Sequence, residues 1–317
     1  MTVVVTGATG MIGAHLHAAL TAAGTPVRIL SRAPAAVSLA GDVRALPTPD
    51  APPAAFEAVL SGASHVVHCA ARNSGKGSED DFLLANAVLT GKLARAAART
   101  VPGRFLFLSS TRAMADAWET AVLDEETACR TTQPYGRSKL EGERLLKAAY
   151  DEAGRSDAVS LRLPPVYGAG MRGQLGALLR LADTPLPLPL RTYGAPRTLA
   201  SCRSVVDAIL LLLHHTGPVE ETYLVGDRES VGLGDILSAF RLGLGRPNRL
   251  FSVPEGMLRL GAALTLQGRA ARLLAGGQIV RSQRLATLGW KPEPDTGAEL
   301  ARIATTVSVL PTGGRKS

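Results

Sequence analysis

The stretch Val3-Val4-Val5-Thr6-Gly7-Ala8-Thr9-Gly10-Met11-Ile12-Gly13 opens the chain with an apolar, β-branched run and three glycines at a three-residue spacing. Apolar residues then recur four apart, at Ile12, Leu16 and Leu20, which is the spacing of one helix face. The order strand, glycine turn, helix is that of a dinucleotide-binding βαβ unit. Residues 6–13 are called the glycine turn below.

Each glycine of this turn has a separate role in that interpretation. Gly7 makes the tight turn, Gly10 lets the backbone lie against a pyrophosphate, and Gly13 brings the helix close to the strand. Met11 and Ile12 begin the helix, whose free N–H groups then face the phosphates. The alternative is a tight turn without a ligand, which its position directly after a strand disfavours.

Composition and charge restrict the class of protein. A chain of 317 residues with 46% hydrophobic composition predicts a large core, as one big or two interlocked domains. The net charge is +8, but the sequence has no run of five basic residues. This pattern favours a small anionic ligand over a nucleic-acid partner. The longest apolar block, 205–213, is too short to cross a membrane. The three cysteines have no metal or redox spacing and predict a reduced, cytoplasmic protein without a metal site.

The second predicted strand, 27–32, ends in Ser31-Arg32. Dinucleotide folds often end this strand with an acid that binds the adenosine ribose hydroxyls. An arginine in its place pairs with a 2′-phosphate, so the sequence favours NADP(H) over NAD(H). The alternative is a solvent-facing arginine in a loop.

Two further stretches predict strand ends close to this cofactor. Gly41-Asp42-Val43 is interpreted as the end of the third strand. The run 65–71 is a buried strand that finishes in small residues, Ala70 and Ala71, over which a cofactor can lie. His65 and His68 on this strand lack a third ligand nearby and are interpreted as packing residues.

Three hydroxyl residues, Ser109, Ser110 and Thr111, follow the strand predicted at 104–108. Ligands of such sheets bind beyond the carboxyl ends of the strands, so these hydroxyls are site candidates, with a helix cap as the alternative. A helix predicted from Tyr135 to about Gly154 places Tyr135 and Lys139 on one face, because they are four residues apart.

The second half of the chain predicts one more sheet strand and a helical lobe. A strand is expected at 158–163, a break at 164–170, helices at 174–181 and 204–215, and a last sheet strand at 222–225. Further helices are expected at 234–242, 255–264 and 267–274. This gives a dinucleotide-binding domain of residues 1–163 with 201–227, a lobe of 164–200 with 228–308, and a disordered tail at 309–317. The fold class is α/β, with a doubly wound parallel sheet of Rossmann type and a smaller, mainly helical C-terminal lobe.

The motifs come in the order found in the extended short-chain dehydrogenase/reductases, the NAD-dependent epimerase/dehydratase family, which the chain resembles over nearly its whole length. The residues that carry this resemblance are the glycine turn, Gly41-Asp42, His68-x-Ala70-Ala71, Asn86, Leu108-Ser109-Ser110, Tyr135-x-x-x-Lys139, Arg162-x-Pro164-x-Val166-Tyr167-Gly168 and Val206-Asp207. Within the family, the chain is similar to a bacterial branch of UDP-sugar 4-epimerases and 4-ketosugar reductases.

The resemblance implies a role for each matching residue. It implies that Ser110 contacts the substrate, Tyr135 is the acid/base and Lys139 holds the nicotinamide ribose. The glycine turn, Ser31 and Arg32 are already candidates for cofactor binding. The resemblance adds six further cofactor-binding residues: Asp42, Val43, Ala70, Ala71, Asn86 and Pro164. The substrate-binding residues are then Ser110, Tyr135, Gln174 and Arg197.

Two departures from the family pattern bear on the substrate. Position 200, where the resemblance puts a phosphate-binding arginine, is Ala200, and Arg197 or Arg203 is expected to supply the charge instead. Ala113-Met114-Ala115 replaces a Val-Tyr-Gly sequence. The function expected is a nucleotide-sugar 4-ketoreductase. The alternatives are a 4-epimerase with tightly bound NAD and a non-catalytic NAD(P)-binding sensor. A homodimer is left open.

Overall fold

A computed structural model describes residues 1–73, 77–254 and 276–309. Its centre is a parallel seven-stranded sheet in the order β11-β7-β5-β4-β1-β2-β3. The predicted doubly wound sheet is therefore confirmed. Its strands are β1 (Val3–Thr6), β2 (Val27–Ser31), β3 (Asp42–Ala45), β4 (His65–His68), β5 (Phe105–Ser110), β7 (Ala158–Leu163) and β11 (Thr222–Leu224).

Alternate residues of these strands enter two separate hydrophobic cores. Val3 and Val5 pack with α1 and α7 on one face, whereas Val4 packs with α2, α4 and α5 on the other. Because both faces are covered by helices, the central strand β1 is buried at every residue and does not alternate between apolar and exposed polar positions. The helices are α1 (Met11–Ala22), α2 (Pro53–Leu60), α3 (Glu79–Leu83), α4 (Leu89–Thr100), α5 (Pro134–Glu152) and α7 (Cys202–His214).

A third hydrophobic core lies between the remaining helices. Tyr167, Leu178, Leu233 and Ile303 are among its buried members. The helices that enclose it are α6 (Gly173–Ala182), α8 (Leu233–Gly243) and α10 (Thr296–Val309), and the short α9 (Gln283–Thr287) precedes the last of these. This core belongs to the predicted helical lobe.

Three pairs of short strands connect the sheet to this lobe. They join β8 (Val166–Tyr167) to β10 (Ala200–Ser201), β9 (Arg197–Thr198) to β12 (Ser230–Val231), and β6 (Ala121–Leu123) to β13 (Gln278–Val280). Strands of two or three residues are too short to show periodicity, so the sequence does not predict them. The helices expected at 255–264 and 267–274 lie outside the described residues, and so does the tail expected at 309–317 except for Val309, which ends α10.

Two other observations limit the sites considered below. None of the helices within the described residues is both long enough and apolar enough to cross a membrane. The three cysteines, Cys69, Cys129 and Cys202, are free thiols.

Candidate active site

Glycine is required at two positions of the glycine turn. Gly7 has a φ of +69°, and a Cβ there would lie 2.7 Å from the backbone nitrogen of Ala70. A Cβ on Gly13 would lie 2.2 Å from the carbonyl oxygen of Gly7. No side chain fits at such distances unless the backbone moves, so these two glycines let β1, α1 and the end of β4 meet.

The N-terminus of α1 is open at Gly10, its N-cap residue. No side chain caps this helix, and its first turn carries no acidic residue. Among the described atoms, a Cβ on Gly10 would approach only the carbonyl oxygen of Gly7, at 3.2 Å. The N–H groups of Met11, Ile12 and Gly13 have no partner four residues earlier in the helix, because they belong to its first turn. This arrangement fits the phosphates of a dinucleotide.

The end of β2 carries Ser31 and Arg32, as the sequence predicts. The Ser31 hydroxyl accepts a hydrogen bond from the Ala33 backbone N–H at 3.2 Å, which shapes the turn after the strand. The Arg32 side chain is exposed, and it forms no hydrogen bond or ion pair with another residue in the described ranges. A guanidinium is thus available at this strand end.

The assignment of Asp42 and Val43 to the cofactor site is wrong. Both residues lie at the start of β3, not at its end, and Asp42 is in register with Arg28 of β2. The Asp42 carboxylate accepts a hydrogen bond from Arg28 Nε at 2.7 Å and one from Arg44 Nε at 3.0 Å. These arginines hold the pKa of Asp42 below its usual range, and the hydrogen bond from Arg44 has the largest effect.

A different part of β3 reaches the edge of the sheet where the glycine turn lies. The Leu46 N–H donates to the Ser31 carbonyl at 2.9 Å, so Leu46 lies beside the tip of β2. Ser31 at the tip of β2 is in register with Ala45 of β3. Asp42 lies three residues before Ala45, which is about 10 Å back from this tip along the strand. The Pro-rich stretch after Leu46 puts the strand end later than the Gly-Asp pair suggests.

The end of β4 lies against the glycine turn. The Ala70 N–H donates to Thr6 Oγ1 at 3.1 Å, and the same oxygen is hydrogen-bonded to His68 Nδ1 at 2.6 Å. Burial lowers the pKa of His68 to about 3, and the charge of Lys139 adds to this shift, so the imidazole is neutral. The backbone of Ala70 and Ala71 therefore has a fixed place beside Gly7.

Asn86 has a positioning role in the structure. It lies in a π-helical turn, Leu84–Val88, between α3 and α4. Its amide oxygen accepts from the Arg72 N–H at 2.8 Å, and its nitrogen donates to the Arg72 carbonyl and to Ser138 Oγ, both at 3.0 Å. Both amide hydrogens are thus used within the protein, where they hold the chain after β4 against α5.

The structure brings Ser110, Tyr135 and Lys139 together. Ser110 ends β5, and the other two residues lie in the first turns of α5. The Ser110 hydroxyl lies close enough to the Tyr135 phenol to act on its pKa. It also lies 3.4 Å from the carbonyl of Leu163, the residue before the buried Pro164. These contacts place the three predicted catalytic residues and Pro164 at one edge of the sheet.

Lys139 is held beneath this edge. Its Nζ donates to the Leu108 carbonyl at 2.7 Å and lies 4.5 Å from the centre of the Phe107 ring. Only 2% of the residue is exposed, and burial lowers its pKa to about 7, against the opposing charge of Glu143. Lys139 is therefore oriented without a carboxylate partner of its own.

Glu143, one helical turn after Lys139, belongs to a buried ion pair. Its carboxylate accepts from Arg162 Nη2 at 2.7 Å and from the Ser109 hydroxyl. Both charged residues are less than a tenth exposed. This pair joins α5 to β7 and β5, and so fixes the helix that carries the candidate catalytic residues.

Burial has the largest effect on the pKa of Tyr135. Burial raises the pKa of the phenol, while the hydrogen bond from Ser110 and the charge of Arg112 act in the opposite direction. Lys139, one helical turn later, directs its ammonium at the Leu108 carbonyl. The nearby cation that acts on the phenol is Arg112.

The predicted substrate residues do not all lie at this site. Arg197 is half-buried on β9, and its charge acts on Arg112, so it lies near the catalytic residues. Gln174 is exposed in the first turn of α6. Ala200 is fully buried in the core beside β8, which leaves no room for an arginine that holds a phosphate. The interpretation of position 200 as a lost arginine is therefore wrong.

Two residues of the site, Arg112 and Gln278, were missed from the sequence. Gln278 of β13 is buried, donates from Nε2 to the Asp116 carbonyl at 2.8 Å, and accepts from the Thr111 hydroxyl. It holds the segment that follows Ser110, and no motif in the sequence marks it. Arg112 had a visible signal, since it is a charged residue only two positions after Ser110.

Comparisons with known proteins identify the family of the chain. The model of the NAD dependent epimerase/dehydratase family matches residues 3–226. A UDP-glucose 4-epimerase of Vibrio cholerae is 26% identical over 304 residues, which cover 92% of this chain and 90% of that protein. A dTDP-6-deoxy-L-talose 4-dehydrogenase (NAD(P)(+)) of Kitasatospora kifunensis is 32% identical over 220 residues, 66% of this chain and 69% of that one.

A solved structure shows the same fold. The UDP-glucuronic acid 4-epimerase of Bacillus cereus, in complex with NAD, superposes with a TM-score of 0.76 at 17% identity. The match covers 96% of this chain and 97% of the other. The family model, the curated relatives and the fold lead to one conclusion: the chain belongs to the NAD-dependent epimerase/dehydratase family of extended short-chain dehydrogenase/reductases.

Proposed function

We propose that the protein transfers hydride between a nicotinamide cofactor and C4 of a nucleotide sugar, as a 4-ketoreductase. The observation that carries this proposal is the convergence of Ser110 at the end of β5 with Tyr135 and Lys139 in the first turns of α5, at the edge of the sheet where the glycine turn lies. Residues 1–163 with 201–227 would hold the cofactor, and residues 164–200 with 228–308 the sugar nucleotide.

The residues of the chain divide the work of such a reduction. When bound, the cofactor supplies the hydride that reaches the carbonyl carbon. Tyr135 gives its phenolic proton to the carbonyl oxygen, and Ser110 donates a hydrogen bond to the same oxygen. Lys139 binds the ribose hydroxyls and orients the nicotinamide. Burial raises the pKa of Tyr135, and a protonated phenol is the form that a reduction requires.

Arg32 supports NADPH as the preferred cofactor. Its exposed side chain follows the tip of β2, where the adenosine ribose lies in dinucleotide folds. A guanidinium there can form charge-assisted hydrogen bonds with a 2′-phosphate. The Ser31 hydroxyl beside it offers a further contact with the ribose.

Arg197 supports a substrate that is bound through a nucleotide diphosphate. It lies near Arg112, on the side of the site that the helical lobe forms, and burial lowers its pKa. Arg203, the other candidate, is largely exposed on α7 and forms an ion pair with Asp207. We therefore assign the diphosphate to Arg197, with Gln174 as a further substrate contact.

A 4-epimerase is the second candidate, because the similarity to a UDP-glucose 4-epimerase covers 92% of this chain. An epimerase uses the same residues twice, first as base and then as acid, and keeps its cofactor bound. A reductase exchanges its cofactor in every turnover. Purified protein that retains NAD through gel filtration favours the epimerase.

The experiment that tests the proposal is a panel of UDP- and dTDP-4-ketosugars with NADPH or NADH, followed at 340 nm. We expect consumption of NADPH with at least one 4-ketosugar, and loss of this activity in Tyr135→Phe. Binding of cofactor without turnover on any member of the panel would favour a non-catalytic sensor and contradict the proposal.

A further inference from the structure

Arg112 is built into the candidate site by contacts on both sides of its backbone. Its N–H donates to the Ser110 hydroxyl at 3.2 Å. Its carbonyl packs against the first turn of α5, where a Cβ on Gly136 would lie 2.1 Å from it. The glycine at 136 thus lets the Arg112 segment lie directly against the turn that carries Tyr135. The position of Arg112 beside the phenol is therefore fixed by the fold.

The guanidinium of Arg112 has no counterion in the described part of the chain. Its Nη1 is buried without a hydrogen-bond partner there. The nearby carboxylate, Asp116, accepts hydrogen bonds from Thr131, Thr132 and Gln133, and so belongs to that loop. Burial lowers the pKa of Arg112 to about 10, which still leaves it charged at neutral pH.

Such a cation is costly unless an anion joins it. An unpaired buried charge is strongly destabilising, and arginine pairs best with the two oxygens of a planar carboxylate. The neighbouring charged group, Arg197, is itself a cation and adds to the repulsion. The charge at Arg112 is thus unbalanced until a ligand brings a negative group to the Tyr135 phenol.

We propose that Arg112 binds a carboxylate on the sugar of the substrate, so that the site takes a nucleotide-linked hexuronic acid. This inference rests on the function proposed above. The carboxylate of a hexuronic acid is carried by C5, the ring neighbour of the reacting C4. The diphosphate is attached at C1, across the ring. A cation whose charge acts on the Tyr135 phenol is therefore placed on the carboxylate side, while Arg197 serves the diphosphate.

The test is calorimetric titration of the NADP-loaded protein with UDP-glucuronic acid, UDP-glucose and UDP, or with the dTDP series if thymine is preferred. We expect UDP-glucuronic acid to bind about 10- to 100-fold more tightly than UDP-glucose, the range of one charge-assisted pair. Arg112→Gln should remove this difference, and Arg112→Lys should keep part of it. Arg197→Ala should weaken all three ligands alike.

The outcomes separate this inference from the function on which it rests. UDP-glucose serves as the internal control for folding, because Arg112→Gln removes no partner of its neutral hydroxymethyl group. Equal affinity of wild type for the two sugars overturns the carboxylate site and leaves the function standing. Weaker binding of UDP itself by Arg112→Gln overturns it too, because the anion is then the diphosphate. Failure of every nucleotide to bind overturns both proposals.

Discussion

Alanine at Gly10 should separate cofactor binding from folding. The backbone at Gly10, with φ −79° and ψ 168°, is allowed for alanine, and a new Cβ would meet only the Gly7 carbonyl at 3.2 Å among the described atoms. Alanine is a poorer N-cap residue than glycine, so we expect a loss of about 1 kcal/mol in the free energy of unfolding.

The same methyl group would occupy the space over the first turn of α1. A phosphate displaced from these N–H groups loses charge-assisted hydrogen bonds of about 1.5–3 kcal/mol each. We therefore expect Gly10→Ala to bind NADP⁺ about 10- to 100-fold more weakly. Calorimetry measures the affinity, and urea unfolding measures the stability.

Gly13→Ala is the matched comparison for this experiment. Its Cβ would lie 2.2 Å from the Gly7 carbonyl oxygen, so the backbone has to move. We expect this variant to lose stability by several times as much as Gly10→Ala. A folded Gly10→Ala protein with wild-type affinity for NADP⁺ would refute the assignment of the glycine turn to the phosphates.

The remaining predictions concern four sites. Arg32→Ala should reduce a preference for NADPH over NADH by about 10- to 100-fold, as measured by the two dissociation constants, and a wild type without such a preference contradicts the role of Arg32. Tyr135→Phe should lower turnover by about 10² to 10⁴ with cofactor affinity nearly intact, whereas near wild-type rates would refute its role as the acid. Glu143→Gln breaks a buried ion pair and should lower the free energy of unfolding by about 3–5 kcal/mol, whereas Glu141→Gln, an exposed control on the same helix, should change it by less than about 1 kcal/mol. Equal effects of these two substitutions would contradict the burial argument. Lys139 has a pKa of about 7 in the fold and about 10.4 when unfolded, so the unfolded state binds more protons between these values. Stability should therefore rise from pH 7 to pH 10 by a few kcal/mol more in wild type than in Lys139→Met, and identical pH profiles would contradict the lowered pKa.

The parts of the site that the sequence predicts are those with a fixed spacing. Gly10 and Gly13 both lie against the Gly7 carbonyl a few residues away, and Tyr135 and Lys139 share a face because they are four apart on a helix. Ser110 follows a long apolar strand, whose end is visible in the sequence.

The sequence predictions are wrong where a short motif matches the family pattern in residue type but lies at a different place in the fold. Gly41-Asp42 matches a family motif in letters, but β3 begins there because the Pro-rich stretch comes later, after Leu46. The family pattern puts a phosphate-binding arginine at position 200, but the structure places Ala200 in the core.

The residues that were missed depend on long-range contacts. Gln278 reaches the segment after Ser110 through a strand pair, β6 with β13, whose members are more than 150 residues apart in the chain. Arg112 follows Ser110 closely in the sequence, but only the structure shows that its Nη1 is buried without a hydrogen-bond partner among the described residues.

The most direct test of the proposed function is the transfer of deuterium from NADPH labelled at nicotinamide C4. Each face of the nicotinamide is labelled in turn, and a nucleotide 4-ketosugar is the acceptor. We predict that one of the two labelled cofactors delivers deuterium to C4 of the sugar, detected by mass spectrometry and NMR, and that Tyr135→Phe slows this transfer by about 10² or more. Absence of label at C4 with both cofactors, across UDP- and dTDP-linked acceptors, would contradict the proposal that this protein is a nucleotide-sugar 4-ketoreductase.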